Sequence, residues 1–81
     1  MNLLKIKKAK YTYLINQETI EVIDHHKDCI GIESRNYYFE LIFHSEKQAV
    51  KCFLKIDAFL RGIYISWDIC EADGLTKITR V

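Results

Sequence analysis

Residues 45–62, SEKQAVKCFLKIDAFLRG, decide the fold, because this stretch carries its own start, its own stop and one apolar stripe between them. Ser45 fits an N-cap, and Gln48 three positions on completes a capping box, which satisfies amide donors that the first turn of a helix leaves without partners. Gly62 ends the run, since a residue without a Cβ takes the left-handed conformation that closes many helices. Between the two ends, Ala49, Val50, Phe53, Ile56 and Leu60 recur at spacings of three and four, and Cys52 and Phe59 widen the stripe. That periodicity predicts an amphipathic helix with one face committed to a core.

On either side the apolar period drops to two, the repeat of a strand with one face buried. Upstream, in NYYFELIFH at 36–44, Tyr37, Phe39, Leu41 and Phe43 alternate with Tyr38, Glu40, Ile42 and His44. Downstream, in IYISWDIC at 63–70, Ile63, Ile65, Trp67 and Ile69 alternate with Tyr64, Ser66, Asp68 and Cys70. Asp73 and Gly74 then read as a hairpin turn of the kind that needs positive φ, leading into LTKITRV as the last strand. Residues 3–15 read as one extended segment with Tyr11, Tyr13 and Ile15 on one face. Residues 19–24 and 29–33 read as shorter strands, with turns at 16–18, 25–28 and 34–36. The expected fold class is α+β: a small antiparallel sheet of about six strands with one amphipathic helix packed on one face, in the order β-β-β-β-α-β-β.

The chain has 81 residues, no proline, no Gly/Ser-rich linker and no repeat, so 1–81 is read as a single domain. Its 49% hydrophobic and 28% charged residues belong to the globular range rather than to disordered or membrane-spanning chains. No apolar run approaches the ~18–20 residues that cross a bilayer, and MNLLKIKKAK lacks the apolar stretch of a secretory signal. A cytoplasmic setting without membrane contact is expected. Cys29, Cys52 and Cys70 are odd in number and far apart, which argues against a disulfide framework.

The formal net charge is +1, yet it is unevenly laid out. Residues 1–15 hold Lys5, Lys7, Lys8 and Lys10 and no acid. Residues 16–46 hold Glu18, Glu21, Asp24, Asp28, Glu33, Glu40 and Glu46 against Lys27 and Arg35. Such a layout predicts a bipolar surface.

Catalysis is not expected: GxSxG, P-loop and HExxH motifs are absent, and Gly31, Gly62 and Gly74 are each explained by backbone geometry. No cofactor is expected either. The leading expectation is a non-catalytic protein-interaction domain, an inhibitor or accessory subunit that occupies a surface of a larger protein or nucleoprotein assembly. Small size is the only ground for adding a phage or mobile-element setting. Its candidate residues are Tyr38, Glu40, Tyr64 and Asp68 on the uncovered strand faces, where tyrosine supplies contact area at low rotamer entropy. Lys47, Lys51 and Lys55, four apart on one helix row, form a second candidate ridge.

Two other functions compete. Lys5, Lys7, Lys8 and Lys10 run into Tyr11 and Tyr13, the basic-aromatic pattern of an RNA- or DNA-binding strand. His25, His26 and Cys29 gather metal-ligand side chains around one turn. A homodimer is a further expectation for a small domain with an exposed tyrosine-rich face or an unprotected strand edge.

Overall fold

A computed structural model describes residues 2–62 and 66–81. The helix α1 spans Glu46–Leu60, with Ser45 as N-cap: the Gln48 amide donates to Ser45 Oγ at 3.2 Å, and that hydroxyl donates in turn to Gln48 Oε1 at 3.2 Å. At the far end Gly62 adopts φ 85° and its amide donates to the Phe59 carbonyl. The buried stripe is Ala49, Cys52, Ile56 and Phe59. Ala49 and Ile56 are buried as expected and are joined by Cys52 and Phe59 from the margin of the stripe, while Val50 is 38% exposed. The reason lies in what the helix faces.

The helix packs on two sheets rather than one: it touches β3 (Ile20–His26), β4 (Cys29–Ser34) and β5 (Tyr38–Phe43) on one side and β6 (Ser66–Ile69) on the other. The first sheet has the order β2-β1-β6, with β1 at Leu3–Lys8 and β2 at Tyr11–Asn16. The second has the order β3-β4-β5-β7, with β7 at Leu75–Arg80. Among the described residues the chain therefore has seven strands in two sheets, five of them before the helix, where a single sheet and four were expected. The additional strand comes from residues 3–15, which fold as a hairpin instead of running straight. Lys8 pairs with Tyr11, and Ala9 takes φ 54° in the turn between them.

Pairing within the second sheet is antiparallel throughout, but β1 and β6 run parallel, with Leu4 opposite Trp67 and Ile6 opposite Ile69. A parallel neighbour needs a long crossover. Here the chain leaves β1, builds most of the second sheet, and returns through α1. Asp73 and Gly74 do not join hairpin partners, because β6 and β7 belong to different sheets. Gly74 instead closes a 3-10 turn at Glu71–Asp73 with φ 92°.

One core fills the space between the layers. Leu4, Ile6, Ile15 and Ile69 come from the first sheet. Ile30, Ile32, Phe39, Leu41, Phe43 and Leu75 come from the second, and the four helix residues close the side. Burying a side chain of the size of Phe59 or Ile56 stabilises the fold by about 1.5–3 kcal/mol. The alternation read from 36–44 holds within β5, where Phe39, Leu41 and Phe43 point inward, but Tyr37, just before the strand, is 48% exposed. Gln17 fastens the last turn of the helix, its Nε2 donating to the Leu60 carbonyl at 2.9 Å, one of the acceptors a helix end leaves open. Among the described residues no helix is long and apolar enough to cross a membrane.

Candidate functional site

With the helix and the first sheet both on its inner side, the second sheet leaves its outer face uncovered among the described residues. Strand register sorts that face into rows. Val22, Glu33 and Tyr38 form one; Asp24, Gly31, Glu40 and Thr79 form the next; His26, Cys29, Ile42 and Lys77 form the third. Glu21, at a bulge in β3, adds another exposed carboxylate at the edge. Gly31 sits at the centre of this arrangement. A Cβ there would lie 2.5 Å from Asp24 Oδ1 and 2.6 Å from the Tyr38 hydroxyl, so the missing side chain is what leaves room for both groups over the strand.

The electrostatics of the face follow from its composition. Partial burial pushes the Tyr38 phenol up from its ordinary value, and the carboxylates of Asp24, Glu40 and Glu33 push in the same direction, as does Cys29. The Cys29 thiol is likewise raised, first by burial and then by its hydrogen bond to Asp28 Oδ1 at 3.4 Å. Tyr38 and Cys29 are thus held in their neutral, hydrogen-bond-donating forms among the side chains of Asp24, Glu33 and Glu40. The arrangement can receive cationic and hydrogen-bonding groups.

The residues singled out in the sequence fall into separate places. Tyr38 and Glu40 lie on this outer face. Asp68 does not join them: it is on the first sheet, exposed and opposite Lys5, because β5 and β6 belong to different sheets. Tyr64 lies outside the described residues. Lys47 and Lys51 are exposed, whereas Lys55 is half-buried with its ammonium 4.7 Å from the Trp67 ring centre, which breaks the expected ridge.

Strand alternation also divides the N-terminal basic-aromatic set. Lys5 and Lys7 project from the outer side of β1; Lys8, Tyr11 and Tyr13 share its opposite side. Lys8 is committed to Glu71 at 2.9 Å, and the exposed Lys10 stands in the turn, 5.8 Å from the Tyr11 ring centre. The metal-ligand cluster is split as well. The His25 ring lies beside Phe53 of the helix and its Nε2 is 2.8 Å from the Lys27 carbonyl, while His26 and Cys29 face the other way. Among the described residues no three His, Cys, Asp or Glu side chains come together as a metal site would need.

A feature unread in the sequence runs along the seam between the sheets. Two hollows, of about 400 and 460 Å³, flank Tyr13 of β2 and extend across to β5 and β7. The Arg80 guanidinium stands 5.9 Å from the Tyr13 ring centre and 5.2 Å from that of Tyr37. Tyr13 in turn packs edge-on against Phe39 at 5.3 Å, joining the seam to the core. Comparison of the chain with protein-family models, with curated proteins and with solved structures finds no match in any of the three.

Proposed function

We propose that this chain is a non-catalytic binding domain that acts as an inhibitor or accessory subunit by docking on a larger protein assembly through the outer face of β3, β4 and β5. The observation that carries this reading is the placement of Asp24 and Tyr38 over Gly31, flanked by Glu33 and Glu40, on a sheet face that no element among the described residues covers. Tyrosine at the centre of a face with exposed Val22 and half-buried Ile42 gives apolar contact area, and the surrounding carboxylates favour a partner presenting lysine and arginine. The raised Tyr38 and Cys29 groups support recognition over nucleophilic chemistry, because the reactive anionic forms are the disfavoured ones. Three free cysteines suit a reducing, cytoplasmic setting.

Quantitative mass spectrometry of proteins retained by the tagged chain from its native host tests the reading. A partner held by the native chain is expected to drop at least tenfold for Glu40→Lys or Tyr38→Ala, and to be retained by Lys51→Glu on the exposed side of the helix. Equal retention by all four chains would remove the sheet face from consideration.

A further inference from the structure

The seam between the sheets has the opposite character to the acidic face. Among the described residues that line its two hollows, the charged ones are Lys8, Arg35, Lys77 and Arg80, with no carboxylate. Lys8 is taken up by Glu71, but Arg35, Lys77 and Arg80 are exposed and none of them has a carboxylate within ion-pair distance among the described residues. Aromatic surface is interleaved with this charge. Tyr11 is 57% and Tyr37 48% exposed, and Tyr13 stands at the border of the two hollows and lines both.

From this juxtaposition we infer that the seam is a binding groove for single-stranded nucleic acid. A row of unpaired cations along a groove is the electrostatic track that a phosphate backbone follows, and exposed tyrosine rings are faces on which unpaired bases stack regardless of sequence. Arg80 serves both purposes. Its guanidinium braces Tyr13 and Tyr37 from the β7 side and adds positive charge to the first hollow. The groove is assembled from both sheets: β2 supplies Tyr11 and Tyr13, the 34–36 turn and the residue following it supply Arg35 and Tyr37, and β7 supplies Lys77 and Arg80. Lys10, in the β1–β2 turn beside Tyr11, extends the positive track past the second hollow. An acidic polypeptide would match the charge but would leave the ring faces unused. The occupant is therefore assigned as a nucleic acid strand. Apart from Lys77, which also ends a row of the outer face, the groove shares no residue with the acidic face, so either site can fail without the other.

Fluorescence anisotropy with a labelled mixed-sequence single strand of about 12 nucleotides, as DNA and as RNA, tests the assignment on the intact chain. Engagement of Arg35, Lys77, Arg80 and Lys10 predicts a log-log salt slope near −2.8, hence roughly 50-fold weaker binding when salt rises from about 50 to about 200 mM. Tyr37→Ala is expected to weaken binding about tenfold with the slope unchanged, because it removes stacking and no charge. Lys77→Ala, at an exposed position that leaves the fold intact, is expected to make the slope shallower by about 0.7. Lys51→Ala, outside the groove, should alter affinity by less than about twofold. Three results would overturn the groove: absence of binding near 50 mM salt, an equal effect of Lys51→Ala and Lys77→Ala, or displacement of the strand by polyglutamate as effective as by unlabelled oligonucleotide.

Discussion

The Lys55 ammonium stands over the Trp67 ring at 4.7 Å from its centre, which joins the middle of the helix to the strand that pairs with β1. A cation placed over an indole face in a partly exposed setting contributes about 0.5–1 kcal/mol. Lys55→Gln is therefore expected to lower the unfolding free energy by about that amount, and Lys55→Arg to preserve it. Trp67 is the sole tryptophan, so urea unfolding followed by its emission reads both quantities at once.

At Gly31 the space above the strand is already occupied by Asp24 and Tyr38. Gly31→Ala must push both side-chain tips aside and is expected to cost about 1 kcal/mol, the lower end of what overpacking does. In an Asp24→Ala, Tyr38→Phe background the same substitution should become neutral or stabilising, since alanine loses less backbone entropy than glycine. A double-mutant cycle of denaturant midpoints gives the coupling.

Gly74 is constrained twice, by φ 92° and by Gln48, whose side chain lies 2.5 Å from where a Cβ would be. The two constraints separate by experiment. Gly74→Ala should destabilise by about 1–2 kcal/mol through its left-handed backbone, and removing the neighbour with Gln48→Ala should recover only part of that loss. Full recovery would mean that the contact, and not the backbone, sets the cost.

Acid should loosen the link between the β1–β2 hairpin and the turn after β6. The side-chain hydrogen bond from Lys8 holds the Glu71 carboxyl below its ordinary 4.5, helped by the Ala9 amide and by the Lys8 charge. A carboxyl depressed in the folded state stabilises fully above its unfolded value and loses that contribution as pH falls through the folded one. Stability of the native chain, measured as urea midpoint against pH, should fall more steeply below about pH 4.5 than that of Glu71→Gln, and the two curves should run parallel at neutral pH.

Burial pushes the Cys52 thiol up to about 12. Alkylation of the folded protein near pH 8, mapped by mass spectrometry, should therefore leave Cys52 unmodified until denaturant is added. Rapid native labelling at Cys52 would show that the helix does not stay seated on the core.

What could be read from the sequence was local. Ser45, Gln48 and Gly62 specify a helix through their own backbone chemistry, and Phe39, Leu41 and Phe43 specify an inward face through a period of two. The turn at Ala9 and Lys10 was not legible, because it lacks the glycine or asparagine that announces positive φ, and Ala9 adopts it regardless. Division into two sheets depends on Leu4 meeting Trp67 and Ile6 meeting Ile69, pairings that no local pattern encodes. The helix stripe was read only in part for the same reason: a helix packed on two sheets buries Cys52 and Phe59 beside the expected Ala49 and Ile56 and leaves Val50 exposed, and which side of a wide stripe wins is a tertiary matter. For the candidate surfaces, Tyr38 and Glu40 were visible as an outward pair. Joining Tyr13, Tyr37 and Arg80 required the folded chain.

The parallel pairing of β1 with β6 has a kinetic consequence. β1 leaves the ribosome with Leu4 and Ile6 ready, yet the neighbour that completes its sheet follows about sixty residues later and ends at Ile69. Until then the β1–β2 hairpin is a two-stranded ribbon with an apolar side open to water, which is marginally stable alone. Closing so long a loop before any contact rewards it slows folding. The nascent chain is thus expected to gain its protease resistance in one late step, when residues 66–69 clear the exit tunnel, and a stalled intermediate ending before β6 should remain open to cleavage in the first hairpin.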